Sequence, residues 1–298
     1  MSTPHKWSAN RRVRIVGALA VASLAVAACH QAMNRGAAHS TVVSEAVAQA
    51  KMLLPTDAMD PFEASARRDP LSALRQASQK CERLVRDYVC MFVKQEQVQG
   101  RLRKAQDIRV QCRTEPFSVL MEWVTNKDKC DRVLYVKGKW LNDDGGDQAW
   151  ADPHGWAIDL FLGRKGGVLQ NIHGSTAKAT ARRTVDQFGF INTFGLLLKY
   201  SDMARERGEL DLVYLGRSEL NGQATYLFRR RLPYTGEDGR YPERLLLVHL
   251  DRDTHLPIGV FTWADDEKQE LLGSYVFKDV ELNPGLPDEV FSKEANQF

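Results

Sequence analysis

From Tyr88 onward the chain alternates apolar and polar residues in short runs, with connections too brief to hold a crossover helix. "YVCMFVKQEQVQGRLRKAQDIRVQC" reads as two strands turning near Gly100, "PFSVLMEWV" as a third and "DRVLYVKGKWL" as a fourth. After Gly208 the same period returns in "LDLVYLGRSEL", "QATYLFRRRL", "ERLLLVHLDRD", "LPIGVFTWAD" and "LLGSYVFKDVEL", with turn signals at 221–222, 236–239 and 251–257. Parallel pairing needs long connections, so consecutive strands this close must pair antiparallel. The fold class is mainly β (α+β), a curved antiparallel sheet carrying two helices on one side.

Those helices have their own signatures. Asp69-Pro70 is an N-cap followed by proline at the first helical position. Leu71, Leu74, Cys81, Leu84, Val85 and Tyr88 then share a face opposite Arg75, Lys80, Glu82, Arg83 and Asp87. The second helix is expected from Thr184 to Arg207, closed at Gly208. Between Phe188 and Leu198 its strongly polar residues are Asn192 and Thr193, so it is either core on both sides or the cover of an apolar ligand. Residues 142–182 are punctuated by "NDDGGD", "DPHG" and "GRKGG", and "WAIDLFL" between them fits either a strand or a buried helical turn.

The N-terminus sets the compartment. Lys6, Arg11, Arg12 and Arg14 precede an apolar segment at 15–28, too short to span a bilayer and of the length of a signal-peptide core. Residues 1–28 are read as a signal peptide. "VAAC" at 26–29 resembles a lipobox, which makes Cys29 the expected lipidation site; the rival reading is ordinary cleavage leaving a plain thiol. Residues 29–60 read as a lipidated N-terminus and flexible tether with a short helix at 41–54, and 61–298 as the folded domain. His30 after the cysteine, where Asp would mark inner-membrane retention, points to an outer-membrane destination facing the periplasm. The signal holds four of the 41 Lys and Arg and none of the 38 Asp and Glu, so the remainder carries 37 basic against 38 acidic residues. Nucleic-acid binding has no electrostatic support.

Cys81, Cys90, Cys112 and Cys130 then form an even set in an oxidising compartment, which suggests two disulfides. A hairpin turning near Gly100–Arg101 places Cys90 opposite Cys112, at a separation an S–S bond can close. Cys81 with Cys130 is the pair left by elimination. The spacing fits a zinc site poorly.

Catalytic signatures are missing. Ser118, Ser201, Ser218 and Ser274 lack the G-x-S-x-G frame, and "GRKGG" is no phosphate loop. His249, Asp251, Asp253 and His255 alternate on a strand and would suit a metal, but Asp and Thr at such a position more simply build a hairpin turn. Arg229–Arg231 reads as a strand end facing water. The chain is expected to be no enzyme and to need no metal or cofactor.

"YVCMFVKQEQVQGRL", "EPFSVLMEWV", "RVLYVKGK", "LLLVHLDRDTHLPIGVFTW", "GSYVFKDVELNPGLPDEVFS" and "NQF" resemble, in that order, the domain-of-unknown-function family 1571 of bacterial envelope proteins. That family is similar to the lipoprotein carriers LolA and LolB and to related sigma-factor regulators. The resemblance implies an open, curved antiparallel half-barrel whose concave side is covered by helices around an apolar cavity, with no catalytic residues. Val119, Met121 and Trp123 on one strand, and Phe188, Phe190, Phe194 and Leu197 on the helix, are the residues placed to line it. The expected function is non-catalytic binding of lipid or lipoprotein acyl chains by an envelope lipoprotein held to the membrane through Cys29. A regulatory module sensing an envelope lipid or a protein partner is the alternative, and a metal-dependent hydrolase on His249 the remote one.

Overall fold

The computed structural model describes residues 60–127, 130–154 and 167–298. The signal, Cys29, the tether and "WAIDLFL" lie outside the described residues.

Two short-range signals start the domain. Helix α1 (Pro61–Arg68) and helix α2 (Pro70–Leu84) each have an aspartate N-cap and proline at the first position. Asp60 accepts from the Glu63 amide at 2.7 Å and Asp69 from the Ser72 amide at 3.0 Å, satisfying donors the helix itself leaves open. Helix α2 ends at Val85, so Tyr88 belongs to the first strand and not to the helix face expected above.

The strands are β1 (Asp87–Val98), β2 (Arg101–Leu102), β3 (Gln106–Arg113), β4 (Ser118–Trp123), β5 (Cys130–Val136), β6 (Gln148–Pro153) and β7 (Val168–Asn171). They are followed by helix α3 (Ser175–Thr180), a 3-10 turn (Val185–Gln187) and helix α4 (Phe190–Glu206). Strands β8 (Asp211–Leu220), β9 (Gln223–Arg231), β10 (Leu245–Asp251), β11 (Pro257–Trp263) and β12 (Leu271–Leu282) complete the sheet. Its order is β7-β6-β5-β4-β3-β1-β12-β11-β10-β9-β8, antiparallel at every pairing, with β2 folded back on β1. Among the described residues the path does not close: β7 and β8 are its edges, and the sheet is an open half-barrel. The described parts of 142–182 extend it by two strands and one short helix.

Helix α4 is shorter than expected. Gly189 sits at φ +98°, which a side-chain-bearing residue rarely adopts, and a Cβ there would lie 2.8 Å from the Tyr88 hydroxyl. The chain therefore turns at Gly189, and Thr184–Phe188 forms a separate segment across the sheet. Helix α4 packs on α2, and α2 on α1 and β8. Most of the core lies between these helices and the inner face of the sheet, including Leu74, Ile108, Val110, Phe194, Phe228 and Val248. A smaller cluster on the outer face joins Leu120, Leu134 and Val136 to Phe291 and Phe298 of the C-terminal segment.

The first hairpin corrects the disulfide geometry. Gln99 (φ 52°) and Gly100 (φ 70°) are the two central residues of the turn, the positive-φ pair that a tight two-residue hairpin requires. Residues 103–105 between β2 and β3 shift the pairing by one residue, so Cys90 faces Val110 and Cys112 faces Tyr88. The two cysteines are diagonal neighbours on one face, not opposed, and all four cysteines are free thiols. Cys81 is buried in α2, and the Cys130 thiol is directed at the carbonyls of Arg132 (3.0 Å) and Asp152 (3.2 Å).

Candidate functional site: an apolar cavity on the concave face

Strand alternation puts Phe92, Lys94 and Glu96 of β1 on the inner face, beside Ile108 of β3 and Met121 and Trp123 of β4. Tyr275 and Phe277 of β12, Val260 of β11 and Leu246 and Val248 of β10 continue that face on the other side. One end of the trough is filled: Tyr88, Cys90 and Cys112 lie there, and Phe190 packs at 4.7 Å from the Tyr88 ring and 4.5 Å from Phe277. The other end is not. Between the inner face, α3, residues 181–189 and α4 lies a cavity of about 310 Å³, mostly apolar in lining.

Four of the seven expected lining residues reach it: Met121, Trp123, Phe188 and Leu197. Phe188 stands in the segment before the helix, edge-on to Phe92 at 5.0 Å. Val119, Phe190 and Phe194 are core residues; Val119 and Phe194 are fully buried. Helical periodicity explains the split, because Thr193, Leu196, Leu197 and Tyr200 form the stripe of α4 that faces the cavity. Phe194 lies outside it.

The cavity also has a charged wall, which the sequence reading missed. Glu96 accepts from Lys94 Nζ (3.1 Å), the Tyr275 hydroxyl (2.9 Å) and the Arg182 amide (3.3 Å). Arg230 pairs with Glu243 and donates to the Leu197 carbonyl (2.7 Å) and Ser201 Oγ (3.0 Å). Burial pulls the Arg230 guanidinium below its usual range against the attraction of Glu243. The water-facing reading of Arg229–Arg231 is thus corrected: Arg229 and Arg231 pair with Asp211 outside, while Arg230 points inward. The signal was available, since Arg230 alternates with the buried Phe228 and Leu232.

The His249 group is a hairpin. Asp251 accepts from the Asp253 amide (3.2 Å), the Thr254 amide (2.7 Å) and the Thr254 hydroxyl (2.6 Å), and His249 is buried against Thr225 Oγ1 at 3.0 Å. Burial depresses the His249 imidazole to about 4. Among the described residues no three His, Cys, Asp or Glu side chains gather as metal ligands.

A family model described as "Protein of unknown function (DUF1571)" matches residues 85–298. The chain belongs to the DUF1571 family. The strand motifs that suggested this family span that same region. No curated protein matches the DUF1571 chain at a significant level. Solved structures similar to it include MucB, at 16% identity and TM-score 0.42, covering 75% of this chain and 62% of that one. The lipoprotein LppX of Mycobacterium tuberculosis is 14% identical at TM-score 0.37, covering 74% of this chain and 98% of its own. A LolA superfamily protein of Nitrosomonas europaea is 9% identical at TM-score 0.35, covering 74% and 98%.

Proposed function

We propose that this DUF1571 protein is a non-catalytic binding protein of the bacterial cell envelope that holds an acyl chain, of a lipid or a lipoprotein, in the concave cavity. The observation that carries this reading is the unfilled end of the trough. Side chains of β1, β3, β4, β10 and β12 present apolar surface there that α4 spans without filling. Each methylene buried in such a site contributes about 0.8 kcal/mol. A volume of about 310 Å³ is at the lower end of the range for small-molecule pockets and suits one chain. A broader hollow beyond the start of α4 mixes Lys137, Asp147 and Asp186 with Tyr88 and Tyr135, which makes it a poor acyl site. The "VAAC" motif supports anchoring through Cys29, with residues 30–59 as the tether.

The test is displacement of the neutral probe N-phenyl-1-naphthylamine by n-alkanols of increasing length. Displacement should strengthen with each added carbon up to the cavity's capacity. Absence of probe binding, or no dependence on chain length, contradicts the reading. For the anchor, intact-mass analysis of the membrane fraction should find diacylglyceryl on Cys29 as the first residue; an unmodified thiol contradicts it.

A further inference from the structure

The charged wall of the cavity does not balance. Lys94, Lys127, Arg183 and Arg230 line it, against the carboxylates of Glu96 and Glu243, and Lys127 is paired with Asp131 at 2.7 Å. Glu96 is saturated by Lys94, Tyr275 and the Arg182 amide. Arg230 donates to Glu243 Oε1, while Arg230 Nε and Glu243 Oε2 have no hydrogen-bond partner. The remaining cation is Arg183. Its guanidinium is 26% exposed and stands 3.7 Å from Glu243 Oε2, a distance that makes an ion pair and no hydrogen bond. Among the described residues its side chain donates no hydrogen bond at all. The hydroxyl of the adjacent Thr184, also in the lining, is buried without a partner. A buried hydroxyl without a partner is costly, and a partly exposed guanidinium beside it matches a two-oxygen anion better than any other group.

The geometry points to a single-chain anionic amphiphile as the ligand, its carboxylate or phosphate head seated on Arg183 and Thr184 and its chain along Phe92, Ile108, Met121 and Trp123. This rests on the acyl-chain reading above and adds the head group to it. The neighbours set the electrostatics. Burial works against the charge on Arg183, while Tyr275, Glu243, Tyr200 and Glu96 together hold its guanidinium above the usual range, and Lys94 and Arg230 offset the two carboxylates. An incoming anion therefore meets a net positive wall without having to break the Arg230–Glu243 pair. A head with no negative charge would leave the excess cation uncompensated in a largely apolar space.

The experiment compares tetradecanoate, tetradecyl phosphate and tetradecanol as displacers of N-phenyl-1-naphthylamine at pH 8, with the wild-type chain, Arg183→Gln and Thr184→Val. In the wild type at least one anion should displace the probe at concentrations at least about tenfold below tetradecanol, the scale of a charge-assisted hydrogen bond. The better of the two anions identifies the head as carboxylate or phosphate. Arg183→Gln should bring both anions to the level of tetradecanol, whose own displacement reports whether the cavity is intact. Should Arg183→Gln lose tetradecanol displacement, the isosteric Thr184→Val decides, with a several-fold loss of anion preference expected. Equal displacement by all three compounds in the wild type, or a preference that survives both substitutions, overturns the head-group assignment and leaves the acyl-chain reading standing. Failure of tetradecanol itself in the wild type overturns both.

Discussion

Arg230 and Glu243 form an ion pair with side chains 1% and 2% exposed, on the same face of the sheet as the cavity. Arg230 lies on β9 and Glu243 in the 232–244 connection that leads to β10, and both residues line the cavity. Removing one partner of such a pair leaves a charge buried alone, which costs about 3–5 kcal/mol. Glu243→Ala should lower unfolding stability by that amount, and Arg230→Met with Glu243→Leu should recover most of it. Urea unfolding of the wild type and the two variants checks this; Glu243→Ala as stable as the wild type contradicts it.

Acid should weaken the fold through His249. The imidazole is held neutral by burial, titrating at about 4 in the folded chain against 6.5 for the ordinary group. The unfolded chain takes up that proton first, so stability is complete above pH 6.5 and declines as the pH falls toward 4. The full effect is on the order of 3 kcal/mol. His255 is depressed to about 4 mainly by burial, and being only half-buried it adds less. His249→Gln should flatten the slope of stability between pH 6.5 and 4. An unchanged slope would show that other groups carry it.

Helix α4 should respond differently on its two faces. Phe194 is fully buried in the core, so Phe194→Ala should cost about 3–5 kcal/mol and Phe194→Asp should unfold the domain. Leu196 lines the cavity and is only partly buried. Leu196→Ala should cost about 1 kcal/mol or less and weaken probe binding instead. Melting curves run beside the displacement assay separate the two; similar destabilisation at both sites would contradict this division of the helix.

The thiols should be silent until the chain unfolds. Burial pushes Cys81 and Cys112 up to about 12 and Cys90 higher still, where the reactive thiolate is absent. In a Cys29→Ser background, Ellman's reagent should find four thiols after denaturation without reductant. It should find essentially none within minutes in the native protein at pH 8. Fewer than four after denaturation would restore a disulfide.

What the sequence disclosed follows the range of the forces involved. The strand alternation, the Asp69-Pro70 cap and the Gly208 stop are local, and each appears where expected. Asp60-Pro61 repeats the same cap signal nine residues earlier and was legible, yet it passed for the end of a tether. The cysteine register failed for two reasons: in a two-residue turn the glycine takes the second positive-φ position, which fixes the turn at Gln99–Gly100, and residues 103–105 then shift the β1–β3 pairing by one residue. The division of the apolar helix into core and cavity residues needed Gly189, whose φ of +98° ends the preceding segment and resets the helical phase. Arg230 and Glu243 were the least legible. A buried charge is recognisable only once its partner is known, and here the partner is 13 residues away across a turn.

Native mass spectrometry of the purified protein tests the acyl-chain cavity most directly, run with Ala151→Phe, which fills the wall beside Val133 and Val168. The wild type should carry one co-purified lipid per chain that is released on denaturation, and Ala151→Phe should carry much less while melting at a similar temperature. A wild-type chain that is bare under native conditions, and remains bare after incubation with long-chain amphiphiles, would contradict the proposed function.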